Sequence, residues 1–328
     1  MDNTNSPPKF TKKHLKILEN SKRDVLESNS IDSLLDNKMV ISTDLDLSAP
    51  TSVDYMKLRK HVSYSEIATW MDCAHKHKLK YLDEVKTSND GPSEHTEFGQ
   101  VIHDALEKYL AARVMPPIDE IKAELTKMFS ALPNASTLKE SDWHDTIEPI
   151  LSEIPAFMEE TFGADWKFIA SEFPLMETID GHNHMFKGFI DGVIEGVGKK
   201  GERVVWVIDW KTCSYFWPVA KRIDPKKTMQ LAFYKYFYSR KFGLTLKDVK
   251  CGFVLLRRSK KPGNCELVTV SVGDKAVERA MGTIDNMLGY IQKKMFPKDR
   301  GSCRFCPYVS TEHCPWESLS WQDNTTQK

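Results

Sequence analysis

The sequence predicts an α/β fold, a core β-sheet carrying a helical N-terminal half. Two observations carry this. Apolar residues recur at helical spacing from His61 to about residue 161, and then the pattern switches to short apolar runs bounded by turn residues. The chain is also long enough, at 328 residues with 41% hydrophobic content, to bury one large core or two smaller ones.

Each element has a local reason. Ser63 or Ser65 can cap a helix running to about Asp83, with Ile67, Trp70, Met71 and Ala74 on one stripe. A second helix is expected from about Phe98 to Arg113, ended by Pro116-Pro117. Helical patterns resume at about 118–131 and 142–161. Residues 166–178, 184–196 and 203–211 read as strands, separated by turn signals at Asp180-Gly181 and Lys199-Lys200-Gly201. A helix follows from about Pro225 to Phe242, then strands at 249–257 and 266–272, then a helix over about 274–295. Residues 1–60 are rich in Asn, Ser, Asp and Lys and are expected to be a loosely docked extension with one helical patch around Thr11–Leu35. The main domain is expected to span 61–328.

Composition narrows the function. Lys+Arg and Asp+Glu stand at 46 each, so a nucleic-acid site would have to be a local groove. No apolar run approaches the roughly 18 residues that span a bilayer. Seven cysteines, odd in number and unevenly placed, suggest a metal site in a reducing, cytoplasmic compartment rather than a disulfide scaffold.

The chemistry concentrates in four segments. The apolar run from Val205 ends in Asp209-Trp210-Lys211, and strand alternation sends Asp209 and Lys211 to the same face. Burying both charges requires partners. Upstream lies Gly188-Phe-Ile190-Asp191-Gly192, an acid between glycines that allow close approach. Gly99-x-x-x-His103-x-x-x-Glu107 places an imidazole and a carboxylate on one helix face, and Gln230-Leu231-x-x-Tyr234 does the same for an amide and a phenol. Together they suit metal-assisted phosphodiester hydrolysis. Asp191, Asp209 and the Trp210 carbonyl would offer oxygens to Mg²⁺, and His103 a nitrogen that also suits Mn²⁺. Lys211 would orient water or offset charge on the phosphate. Gln230 and Tyr234 would hold Lys211, the water or the DNA in place, with Glu107 and Glu172 as supporting carboxylates.

The order His103, Gly-x-Ile-Asp191, Asp209-x-Lys211, Gln230-x-x-x-Tyr234 resembles the PD-(D/E)xK nuclease superfamily, and more narrowly its RecB-type branch. That branch includes the nuclease of CRISPR spacer acquisition and the AddB-type helicase–nucleases. The likeness runs from about Val62 to Trp316. It implies a restriction-endonuclease-like fold, a central mixed sheet flanked by helices, and Mg²⁺- or Mn²⁺-dependent cleavage of DNA, with recombination, replication or helicase proteins as candidate partners. Neither helicase motifs nor a Gly-Lys-Ser/Thr phosphate loop accompany these segments.

The C-terminal region carries Cys303-Arg-Phe-Cys306 and, further on, Cys314, three thiolates in need of a fourth ligand. Cys73 is the candidate, and His313 is an alternative to Cys314. Thiolate chemistry alone suits structural zinc as well as an iron–sulfur cluster. The resemblance implies a [4Fe–4S] cluster on Cys73, Cys303, Cys306 and Cys314, with 297–328 as the cluster-binding segment. Such a site would clip the two ends of the domain together. Cys213, Cys251 and Cys265 read as ordinary thiols. Basic runs at Lys76–Lys80, Lys221–Lys227 and Arg257–Lys261 are candidate DNA contacts, and Phe216 and Trp217 either stack on bases or pack in the core. The expected function is thus a DNA exonuclease. Its alternatives are a non-catalytic DNA-binding module of the same fold and a DNA-trimming subunit of CRISPR spacer acquisition.

Overall fold

The computed structural model describes residues 61–87, 91–132, 139–198 and 200–315. The extension at 1–60, its helical patch and the tail from 316 lie outside the described residues. Six strands form one mixed sheet. Its centre is a meander of β2 (Lys167–Thr178), β3 (Met185–Val197) and β4 (Arg203–Cys213). Strand β4 then runs parallel to β5 (Val249–Arg257), which pairs antiparallel with β6 (Cys265–Thr269). The short β1 (His61–Ser63) lies parallel to the start of β3.

The sheet is apolar on both faces, so β4 and β5 read as continuous hydrophobic runs. One face, with Val205 and Val207 of β4, packs on α1 (Tyr64–Asp72), α8 (Pro225–Lys241) and α9 (Asp274–Gln292). The other face, with Trp206, Ile208 and Trp210, packs on α3 (Glu94–Ala112), α4 (Ile118–Ser130), α5 (Glu140–Leu151) and α6 (Ile154–Phe162). The result is a helix–sheet–helix sandwich of the restriction-endonuclease-like type. Among the described residues no helix is long and apolar enough to cross a membrane.

Two expected helices are divided. Ser63 caps α1, its hydroxyl accepting from the Glu66 amide at 3.3 Å. That helix stops at Cys73, whose backbone is extended, and the chain resumes as α2 (Ala74–His77) and a π-helical turn at Lys78–Leu82. The extended Cys73 backbone brings its thiol to the Pro297 carbonyl and the Asp299 amide of the C-terminal segment. The predicted 142–161 helix is split into α5 and α6 around Ser152-Glu153, just before Pro155, which has no backbone N–H to donate to the carbonyl four residues earlier. Helix α3 starts a turn earlier than expected because Ser93 and Thr96 form a reciprocal capping box.

Candidate active site

Strands β3 and β4 separate where the motif acids lie. Their last pair is Gly192 with Ile208, and Asp191 and Asp209 come next on the diverging ends. The Trp210 amide donates to Asp191 Oδ2 at 2.8 Å, bridging the gap. On the other side of β3 the β2 register places Glu172 opposite Asp191, but the ladder skips that pair. Glu172 has φ 45°, a left-handed conformation rare for a non-glycine residue in a strand. Three carboxylates therefore stand abreast on adjacent strands. Like charges facing across a sheet are destabilising unless something neutralises them.

Helix α3 brings His103 to the Glu172 and Asp191 end of this row. Its Nδ1 is 3.7 Å from Asp191 Oδ2, and the ring also hydrogen-bonds the Trp210 backbone. One ligand atom each from His103, Glu172 and Asp191 fall within 4.8 Å of one another. A mixed nitrogen and carboxylate set of this kind suits Mn²⁺ or Mg²⁺. The electrostatics agree. Burial, and then the Asp209 charge, push the Asp191 carboxyl well above the usual carboxylate range. Glu172 is raised by burial and by Glu107, Asp104 and Asp209. Burial and nearby Lys211 hold His103 below the usual histidine value, which favours the neutral, ligating imidazole. A cation would relieve the carboxylate crowding.

Asp209 sits beside this group with 0% exposure. Lys211 Nζ is 2.5 Å from Oδ2, and Gln230 Nε2 donates to Oδ1 at 2.8 Å. Burial opposes the Lys211 charge, but Asp209 and Asp191 outweigh it and raise its pKa. Gln230 also lies 3.3 Å from the Tyr234 hydroxyl, so the α8 motif reaches Asp209 through an amide backed by a phenol. The glycines of the Asp191 motif serve packing. A Cβ on Gly188 would lie 2.8 Å from Tyr234 Cε1, and one on Gly192 would lie 2.8 Å from Ile208 Cγ1.

His103, Asp191, Asp209, Lys211, Gln230 and Tyr234 are thus brought together. Of the two supporting carboxylates, Glu107 accepts from Ser171 Oγ at 3.1 Å, while Glu172 joins the possible ligand group itself. The hairpin turn at Asp180-Gly181 was the available signal, since it sets Glu172 against Asp191. Tyr64 was missed. Its hydroxyl donates to the Lys226 carbonyl at 2.9 Å, and burial and then Asp209 raise its pKa.

The cysteine-rich end docks against α2 and the π-helical turn. Leu79, Tyr308 and Cys314 form a small core, and the Tyr308 hydroxyl donates to the Val85 carbonyl at 2.9 Å. Burial raises the Cys303 thiol, as do Cys306, Cys314 and Cys73 in that order, which puts the four thiols in one neighbourhood, although they do not form a group with ligand atoms within 4.8 Å of one another. This donor set fits a thiolate-held metal or cluster. The His313 imidazole instead lies 3.5 Å from Glu312 at the surface. Cys251 is buried; Cys213 and Cys265 are half-buried.

The surface expectations divide. Trp217 is 5% exposed and packs on Phe253, so it belongs to the core and does not offer a face to bases. Phe216 lies under Arg257. Much of the basic charge is spoken for: Lys76 and Lys226 pair with Asp72, Lys78 with Asp83, Arg222 with Glu266 and Lys260 with Asp145.

The crystal structure of a "Putative exonuclease" from Eubacterium rectale aligns with a TM-score of 0.48 at 12% identity, covering 80% of this chain and 91% of that one. The crystal structure of SSO0001 aligns with a TM-score of 0.36 at 11% identity, covering 90% and 93%. No curated protein matches the sequence. Residues 61–314 match the PD-(D/E)XK nuclease superfamily, a span that contains every element of the site just described. The chain belongs to the PD-(D/E)XK nuclease superfamily.

Proposed function

We propose that this nuclease is a metal-dependent DNA exonuclease of the RecB-type branch. One observation carries the reading: His103, Glu172 and Asp191 bring ligand atoms within 4.8 Å of one another, and Asp209, paired to Lys211, follows on the adjoining strand end. Mg²⁺ or Mn²⁺ would be held by His103, Asp191 and Asp209, with Glu172 and the Trp210 carbonyl as further donors. The ion would supply a Lewis acid that polarises the phosphate and lowers the pKa of water. The chain's own residues do the rest. Lys211 keeps its proton, orients the attacking water and offsets charge as the water oxygen bonds to phosphorus and the bridging P–O bond breaks, the water giving up a proton to solvent and the leaving oxygen taking one from it. Gln230 fixes Asp209, and Tyr234 fixes Gln230.

In this reading Cys73, Cys303, Cys306 and Cys314 hold a [4Fe–4S] cluster, with zinc as the alternative. Its role is to clip α1 and α2 to the C-terminal segment. Broad absorbance near 400 nm in anaerobically purified protein supports the cluster, and stoichiometric zinc in colourless protein overturns it. The nuclease test uses end-labelled linear and closed circular DNA with Mn²⁺. Linear DNA is degraded from its ends, and Asp209→Ala and Lys211→Ala abolish this. Unchanged turnover in either variant would show that the site is wrongly assigned, and cutting of circular DNA would refute strict exonuclease action.

A further inference from the structure

Strand β4 does not end at Lys211. It continues through Thr212 and Cys213, and the chain then turns at Ser214–Pro218 before α7 (Val219–Arg222). A cleft of about 530 Å³ opens at this turn. Its walls include His95 from the first turn of α3, Thr212, Ser214, Tyr215, Lys221 and Arg258, and no acidic residue lines it. Thr212 connects it to the candidate active site. It follows Lys211 directly, and its Oγ1 is 3.6 Å from where a Gly99 Cβ would stand, one helical turn before His103.

The charge here differs from that of the neighbouring basic residues. Arg222, Lys226 and Lys260 each have a carboxylate partner. Arg258 and Lys221 have none within ion-pair distance among the described residues. Arg258 lies over the Trp143 ring at 3.8 Å, donates to Ser214 Oγ at 3.0 Å and approaches His95 Nδ1 at 3.3 Å. These contacts orient the guanidinium without neutralising it. Lys221 lies 4.7 Å over the Trp217 ring, again without a counter-charge. Beside them Tyr215 is 84% exposed, although its neighbour Trp217 is buried. An aromatic face next to two uncompensated cations matches a nucleotide, with a flat base at one end and an anionic phosphate at the other.

We propose that this cleft holds an unpaired nucleotide of the substrate strand next to the scissile phosphate, with Tyr215 stacked on its base and Arg258 and Lys221 on its phosphate. The proposal rests on the nuclease reading and adds to it that the strand is single-stranded here, because a paired and stacked base has no free face for Tyr215.

Binding tests this separately from cleavage. Single-stranded oligonucleotides carrying 2-aminopurine at successive positions are titrated with the full chain in EDTA, with a blunt duplex of the same sequence as control. The wild type is expected to quench one position near the strand end more than its neighbours. Tyr215→Ala loses that quenching and binds the single strand roughly 5- to 100-fold more weakly, while Tyr215→Phe retains both. Lys221→Ala reduces the slope of log affinity against log salt by roughly 0.7. Thermal unfolding confirms that each variant is folded, as expected for exposed positions. Unaltered single-strand affinity and quenching in Tyr215→Ala overturn the cleft, whether or not the wild type cleaves DNA. Normal quenching without Mn²⁺-dependent cleavage overturns the nuclease reading and leaves the cleft standing.

Discussion

Gly188→Ala isolates a packing requirement within the Asp191 motif. The added methyl would lie 2.8 Å from Tyr234 Cε1 and 3.1 Å from Phe186 Cε1. Neither ring has much room, since Phe186 stacks on Phe237 at 4.6 Å and Tyr234 is buried beside Gln230. Overpacking of this kind costs about 1–3 kcal/mol. Alanine recovers about 0.5–1 kcal/mol because a strand glycine loses more backbone entropy on folding. At the middle of both ranges the net loss is about 1.3 kcal/mol, or roughly 2.5–5 °C in thermal midpoint for a domain of this size. Activity should also fall, because the displaced ring is the one that backs Gln230. The assay is a double-mutant cycle with Tyr234→Ala, followed by thermal unfolding monitored by circular dichroism. Once the ring is gone, the Gly188→Ala cost should shrink below about 1 kcal/mol. A Gly188→Ala protein as stable as wild type, or a cost unchanged without the ring, would refute the reasoning.

Three further outcomes follow from the site. Glu172→Gly should raise the thermal midpoint by relieving about 1–2 kcal/mol of left-handed strain, yet weaken Mn²⁺ binding by calorimetry; a lower midpoint contradicts this. Gln230→Ala removes a charge-assisted hydrogen bond to a buried carboxylate, worth about 1.5–3 kcal/mol, and should slow cleavage roughly tenfold to a hundredfold; an unchanged kcat would show that Asp209 needs no such support. Cys73→Ser should abolish absorbance near 400 nm and make residues 297–315 sensitive to limited proteolysis, and wild-type protease resistance would remove the clipping role.

The sequence alone determined the order of elements and the sidedness of the central strand. Two-residue alternation puts Asp209 and Lys211 on one face, and four-residue spacing puts Gln230 and Tyr234 together; both follow from local backbone geometry. The ordered motif set identified the superfamily for the same reason, since each part lies within one element. Other features depend on contacts between distant segments, and only the tertiary structure decided them. The divergence of β3 from β4 sets Asp191 beside Asp209, and a left-handed residue inside β2 admits Glu172. The break at Cys73 is tied to Pro297 and Asp299, more than 220 residues away. Burial settled the adjacent aromatics: Trp217 found Phe253 across the core, while Tyr215 was left facing water. No pattern of residue types separates those two, because the difference lies in which of them meets a partner from another part of the chain.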